Sequence, residues 1–416
     1  MTRAPGPKGG LILGSLPAFK ADPLAFLAQG LRDHGPVFRF RMGPFTAHLV
    51  NAPDHIDHVL SRNARGYDKA TRSADRIAAT TGNSLLSPDP EHWTRHRQVI
   101  QPAFQPRRFD GTIAPAIDAL LLPAMQDWLR SGRVDIVAEM MRIVIGAAIR
   151  ILFSAEIEAR RISDPLEVLL ADTWRRIEAP FDLSQLSRHL HRRTFRRAVG
   201  QIDAIVLGLI AARRAMAAPP DDVLTRLVAA RSAETGAGLT DRELRDATVT
   251  LLLAGHETTA NALARAFIHA AGGHETAPPA QIFAEAMRLY PSIWVIERRA
   301  RVADRIGDFD IPAGSSVLIS PWLLHRDPRL WPDPERFDPS RFSADTPPPR
   351  RAYMPFGLGQ HRCVGLHLAQ GIAEHILATV FDRLRLRLLP GQDLRPRPGI
   401  TLRHAVPVMM EVTRRG

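Results

Sequence analysis

Cys363 is the one cysteine in a chain of 416 residues. It stands in FGLGQHRCVG (356–365), between glycines and beside His361 and Arg362. A thiol so placed can do several kinds of chemistry. A phosphate cradle of the G-x-G-x-x-G kind fails here, because the third glycine would fall on Arg362 and no βαβ unit surrounds the loop. A nucleophilic thiol would have its pKa lowered by a helix N-terminus and neighbouring cations, but a base only two residues away, at His361, points elsewhere. A buried cysteine can simply be a small hydrophobe, which is the plainest reading of the loop by itself. The remaining reading is a metal or haem thiolate. Gly357 and Gly359 permit a tight loop whose N–H groups face the sulfur, Phe356 shields one side, and Gly365 lets the following helix approach a flat cofactor. A haem iron held by a thiolate is electron-rich, which favours O–O cleavage.

Other residues narrow the choice. Glu257 and Thr258 are an adjacent acid and alcohol within AGHETT (254–259). A mid-helix threonine commonly bonds back to its own turn, whereas a buried glutamate needs a partner or a purpose. Together they suit proton delivery at a buried site. An H-E-x-x-H zinc site is excluded because position 260 is alanine. Glu285 and Arg288, in EAMR, share a helix face and would read alone as a surface ion pair. In WTRHR, Trp93 and Arg97 lie one helical turn apart.

With FDPSRF (337–342), these segments make the chain resemble the cytochrome P450 family over nearly its whole length. The family's cysteine loop, F-x-x-G-x-(R/H)-x-C-x-G, is matched in order and spacing by Phe356, Gly359, His361, Cys363 and Gly365. The resemblance implies haem b with Cys363 as the iron ligand. Thr258 would hold dioxygen by a hydrogen bond and Glu257 would help relay protons. Glu285, Arg288 and Arg341 would form a charge-assisted clamp bracing the cysteine loop. Trp93, Arg97, Arg298 and His361 would hold the haem propionates, with Arg299 facing elsewhere. The implied pocket comprises Leu85, Leu86, Ala254, Ile293, Trp294, Val295 and Ile296, with further lining from the loop at 73–90 and the helical region around 165–195. The implied activity inserts one oxygen atom from O2 into an apolar small molecule, by hydroxylation or epoxidation. Fatty acids, terpenoids and carotenoid-like lipids are the candidate classes. Electrons would come from a separate ferredoxin or flavodoxin with its reductase, since the chain has no such module. A peroxide-driven haem-thiolate enzyme is the alternative, and the Glu257–Thr258 pair argues against it. Two departures stand out. Only 27 residues separate Thr258 from Glu285, where many relatives have extra helices, and Gln370 occupies a position where relatives carry arginine.

The elements that must position these residues are mainly helical with minor β, the architecture of the P450 fold, in which haem lies between a long central helix and the cysteine-loop helix. One domain over 1–416 is expected. Its small β-rich part lies near 30–60 and 300–320, and its helical part over about 60–290 and 363–384. VFRFR (37–41) and TAHLVN (46–51) alternate like strands. Thr240 and Glu243 form a capping-box pattern opening a helix of about 30 residues, roughly 45 Å at 1.5 Å per residue, which ends near Gly272. A short helix follows at 280–290 and a strand-like patch at 309–320. A helical period runs over 363–384, and closing strands follow at 384–390 and 406–412.

Composition sets the remaining limits. No run reaches the ~18 apolar residues that a membrane span needs, and a signal peptide's apolar core is missing, so a cytoplasmic protein is expected. A single cysteine excludes an internal disulfide or a cysteine-rich cluster. The net charge of +12 comes from arginine, the only lysines being Lys8, Lys20 and Lys69. Zinc-finger and RNP-like patterns are missing, so the charge suits an acidic protein partner better than nucleic acid.

Overall fold

The computed structural model of the chain describes residues 2–87, 89–179, 190–231, 236–345 and 347–416, with side chains left out at 190–192. Its axis is the helix Asp241–Ala270. The capping box forms as expected: Thr240 Oγ1 accepts from the Glu243 N–H, and Glu243 Oε2 accepts from the Thr240 N–H at 2.8 Å. Beyond the first turn this central helix is buried on almost every face. It packs against Ile136–Phe153, Leu190–Ala215, Pro279–Leu289 and Leu366–Arg383. An all-round apolar helix is stable only at the centre of a large core, and the largest hydrophobic cluster surrounds it.

A five-stranded sheet stands beside the helical body, in the order Val37–Met42, Phe45–Val50, Ser316–Ile319, Ile296–Ala300, Tyr67–Asp68. Phe45–Val50 and Ser316–Ile319 run parallel, and the other pairs are antiparallel. The two-residue period of a strand splits its apolar residues between two cores. Val37, Val50, Val317 and Ile319 join one cluster, while Phe38, Phe40, Ala47, Leu49 and Leu318 join another.

Three expectations are corrected. The helix after the cysteine starts at Leu366, leaving 363–365 in the loop. The patch at 309–320 is two strands in different sheets. Phe309–Ile311 pairs with Asp304–Ile306, and the chain turns at Pro312 and Gly314 (φ +79°) before Ser316–Ile319. The closing strand is Met409–Arg414 rather than 406–412, set between Leu384–Leu388 and Arg133–Asp135. The expected pocket region around 165–195 contains the helices Arg160–Glu178 and Leu190–Ala215; its residues 180–189 lie outside the described residues. The central helix and the next one, Pro279–Leu289, are joined by 271–278 alone. Among the described residues, no helix is long and apolar enough to cross a membrane.

Candidate active site

The cysteine loop closes on itself. The Cys363 N–H donates to the Phe356 carbonyl at 2.9 Å, and the Gly357 N–H donates to Met354 at 3.0 Å. Gly359 has φ +71°, and a Cβ there would sit 2.0 Å from the Leu60 carbonyl oxygen, so only glycine fits. A Cβ on Gly365 would stand 4.0 Å from Cys363 Sγ and 4.0 Å from the Phe104 ring, filling the space beside the sulfur. Cys363 retains accessible surface, yet burial pushes its thiol above the ordinary value. Both hold if the sulfur opens into an enclosed, poorly solvated space. This bears against the nucleophilic-thiol reading, which requires a lowered pKa. The helix begins three residues later, and desolvation outweighs the Gly365 N–H and the charges of Arg97 and Arg362.

The loop is braced from behind. Arg288 is fully buried and forks onto fully buried Glu285, with Nε to Oε2 at 2.6 Å and Nη2 to Oε1 at 2.8 Å. It also donates to the carbonyls of His325, Pro334 and Arg336. His325 Nε2 accepts from the Met354 N–H at 2.9 Å, and the Tyr353 hydroxyl donates to the Ala284 carbonyl. The clamp therefore reaches the cysteine loop through His325. Arg341 contributes less than the second fork expected of it. Its Nε is 3.6 Å from Glu285 Oε1 without a hydrogen bond, and its Nη2 donates to the Asp333 carbonyl. The Asp338 N–H supplies the missing donor to Glu285 Oε1 at 2.8 Å.

Beside the cysteine loop, cations gather. The Trp93 and His361 rings touch with centroids 3.9 Å apart, tilted by 54°, and Lys69 Nζ lies 5.5 Å from the Trp93 ring centroid. Arg97 donates to the Arg362 carbonyl and to Gln101. Arg298 is buried, and among the described residues its side chain makes one hydrogen bond, to the Glu297 carbonyl; Lys69 donates to the Leu85 carbonyl. Among the described residues, no carboxylate pairs with Lys69, Arg97, Arg298 or His361, and His361 Nδ1 is buried without a partner. Burial first, then Lys69, Arg298 and Arg97, drive His361 down to about 2. Burial, then Arg298 and Arg97, hold Lys69 well below its ordinary value. Arg299 is elsewhere, forked onto Asp68. Arg298 is buried and Lys69 and Arg97 half-buried, and positive groups so withdrawn from water without a carboxylate call for an anion.

On the central helix, Ala254 is exposed, and Gly255 and Thr258 are half-buried in an otherwise buried stretch. This accessible stripe lies on one helix face. The Thr258 hydroxyl donates to the Ala254 carbonyl at 2.8 Å, which leaves its lone pairs free to accept, and Ser292 Oγ donates to the Thr258 carbonyl at 2.7 Å. Glu257 is buried and points the other way. Its Oε2 accepts from Thr401 Oγ1 at 2.6 Å, and Arg403 Nη1 lies 3.7 Å from Oε1. The structure thus separates the adjacent acid and alcohol, since neighbouring helix residues diverge by about 100°.

The apolar residues assigned to the pocket divide. Leu86, Ile293, Val295 and Ile296 are half-buried, and Leu85 is 8% exposed. A side chain lining a cavity keeps accessible surface, whereas Trp294 keeps 1%. Its indole packs in the sheet's core and donates to the Gly399 carbonyl, so Trp294 is a core residue, correcting its assignment to the pocket.

The family model described as "Cytochrome P450" matches residues 4–273 and 280–412. The chain belongs to the cytochrome P450 family. Among its relatives, cyclooctat-9-en-7-ol 5-monooxygenase of Streptomyces melanosporofaciens is 34% identical over 414 residues, covering 92% of this chain and 89% of that protein. Cyclooctatin synthase of the same organism is 32% identical over 95% of this chain and 92% of its own. Pentalenene oxygenase of Streptomyces avermitilis is 27% identical over 94% and 93%. This P450 is accordingly a monooxygenase, and the break in the match at 274–279 spans most of its short interhelical connection and the first residue of the next helix, Pro279.

The family implies a haem iron, and the residues present fit one. An accessible but desolvated thiol suits a soft metal ligand, the space at Gly365 suits a flat ring, and the unpaired cations suit two propionates. Sequence reasoning missed Lys69, His325 and Thr401. Lys69 carried a signal, as one of three lysines in an arginine-rich chain. His325 and Thr401 carried none, because their partners Arg288 and Glu257 are 37 and 144 residues away.

Proposed function

We propose that this P450 oxygenates a terpene-like, largely apolar small molecule, using haem b held by Cys363 and electrons from a separate ferredoxin or flavodoxin. The whole chain acts as one catalytic domain. The observation that carries the reading is the accessible yet desolvated Cys363 beside unpaired Lys69, Arg97, Arg298 and His361. The substrate class rests on the names of the relatives, two monooxygenases or oxygenases of cyclooctat-9-en-7-ol and pentalenene. Half-buried Leu86, Ile293, Val295 and Ile296, with Ala254, suit an apolar ligand.

When bound, haem supplies the iron at which dioxygen is reduced and one oxygen atom is passed to the substrate. The protein's part is to position groups and move protons. Lys69, Arg97 and Arg298 would offset the propionate charges and the neutral His361 imidazole would donate a hydrogen bond to one of them, with Trp93 packed on His361. Gly365 keeps the sulfur's surroundings open while its N–H steadies the thiolate. The Thr258 hydroxyl, its proton committed to Ala254, accepts a hydrogen bond on the accessible face. Glu257, oriented by Thr401 and Arg403, is the carboxyl group that would pass protons behind it. The net charge of +12 favours an acidic electron donor.

The test takes the holoenzyme with a ferredoxin–reductase pair and a panel of cyclic terpenes, fatty acids and carotenoids. Terpenes should shift the haem spectrum and give oxygenated products only with reductant. Turnover with hydrogen peroxide alone at a rivalling rate would overturn the monooxygenase mechanism. Preference for fatty acids would overturn the substrate class. A reduced, carbon monoxide-bound spectrum without the thiolate-type Soret band would overturn the role of Cys363.

A further inference from the structure

The helix Pro90–Ile100 carries more than Trp93 and Arg97. His92 and His96 stand one turn apart on it, their ring centroids 4.5 Å apart. Their i, i+4 spacing puts both imidazoles on one face. Glu243, from the first turn of the central helix, faces them, with Oε1 3.5 Å from His96 Nε2. One ligand atom from each of the three lies within 4.8 Å of the other two. Among the described residues, His92 Nε2 and His96 Nδ1 are buried with no hydrogen-bond partner, and His96 Nε2 has only Glu243 Oε1 at 3.5 Å. His96 is fully buried, so these orphaned nitrogens cost stability unless something binds them. Desolvation, with His92 the next cause, holds His96 below its ordinary pKa, in the neutral form that carries a lone pair.

We propose that His92, His96 and Glu243 bind a divalent ion of the zinc class, tying the Pro90–Ile100 helix to the start of the central helix. Two imidazoles and one carboxylate suit Zn²⁺, Co²⁺, Ni²⁺ or Cu²⁺, whereas Mg²⁺ and Ca²⁺ prefer oxygen alone. His92 is half-buried, so one side of the site is open to a water as fourth ligand. The carboxylate is already oriented, because the Thr240 N–H and hydroxyl both donate to Oε2 at 2.8 Å. The competitor is Arg95, whose Nη1 donates to Oε1 at 2.5 Å. Its side chain is 38% exposed, so the guanidinium can swing into solvent when an ion takes Oε1. His92 flanks WTRHR, His96 lies within it and Glu243 belongs to a distant capping box, so no local spacing rule reveals the site.

The experiment uses tag-free, chelator-treated holoenzyme titrated with ZnCl2 by calorimetry and by thermal melting. One equivalent of Zn²⁺ should bind per chain and raise the melting temperature. His92→Ala should weaken binding by more than about 100-fold, the upper cost of losing even an outer-shell partner. Arg95→Ala should tighten binding by removing the competing cation. No stoichiometric uptake, uptake unchanged in His92→Ala, or weaker binding in Arg95→Ala would each overturn the site. Melting of His92→Ala without zinc, matching that of the wild type, separates ligand loss from misfolding.

Discussion

Replacing Arg288 by lysine isolates what the guanidinium fork does beyond its charge. Arg288 makes hydrogen bonds to both oxygens of Glu285 and to the carbonyls of His325, Pro334 and Arg336. An ammonium has three donors on one atom and no planar fork, so at least two of these acceptors lose their partner. A buried acceptor left unsatisfied costs about 1–3 kcal/mol, giving a loss of about 2–6 kcal/mol. Against a total stability of about 5–15 kcal/mol, Arg288→Lys should fold marginally. Arg288→Met, which also leaves Glu285 as an uncompensated buried charge, adds about 3–5 kcal/mol and should not yield folded holoenzyme. The assay is urea unfolding of the holoenzyme, with the reduced, carbon monoxide-bound spectrum followed at each concentration. The thiolate-type Soret band should fail at lower urea in Arg288→Lys, because Arg288 and Met354 share His325. A midpoint within about 0.5 kcal/mol of wild type, the range of an ordinary surface change, would refute the clamp as a brace.

Three further outcomes are expected. Thr401→Val removes the donor to Glu257 Oε2, so product formed per reductant consumed should fall while substrate still shifts the haem spectrum; unchanged coupling would make Thr401 a bystander. Lys69→Met should speed haem transfer to an apoglobin acceptor about tenfold, equivalent to about 1.4 kcal/mol, and an unchanged transfer rate would remove Lys69 from the propionate site. Burial lowers the pKa of His48, His256 and His269 to about 4, and of His325 and His404 to about 3. The unfolded chain therefore takes up protons below pH 6.5 that the folded chain refuses. Stability is full above 6.5 and is lost as pH falls toward those values, by up to about 1.4 kcal/mol per pH unit for each histidine. Urea midpoints at pH 7.5, 6 and 5 should fall in that order, and a flat series would contradict the burial of these rings.

What the sequence revealed depended on how far apart partners lie along the chain. The central helix was legible because Thr240 and Glu243 are three residues apart and no proline interrupts the largely apolar stretch behind them. The strands 37–42 and 45–50 were legible from two-residue alternation. Cys363, Glu257, Thr258, Glu285 and Arg288 stood out because chemistry fixes their spacing locally. Trp294 was misplaced because an apolar residue reads the same whether it lines a cavity or fills a core. The direction of the thiol's shift was not legible, because desolvation depends on burial that no spacing rule names. Arg341's weak share in the clamp follows from a backbone N–H at Asp338, a donor present at every residue and marked by none.

Residues 271–278 bear on how this P450 could be rebuilt. The connection is short and partly exposed, and it joins two helices that are each held by their own burial. Loop-closure entropy grows only logarithmically, so a segment of equal length spliced between Gly272 and Gly273 would cost about 0.6 kcal/mol. Brevity here contributes little to stability. The junction is therefore a place to graft an electron-donating domain into the chain, where electron supply would be set by tether length and effective concentration rather than by encounter in solution.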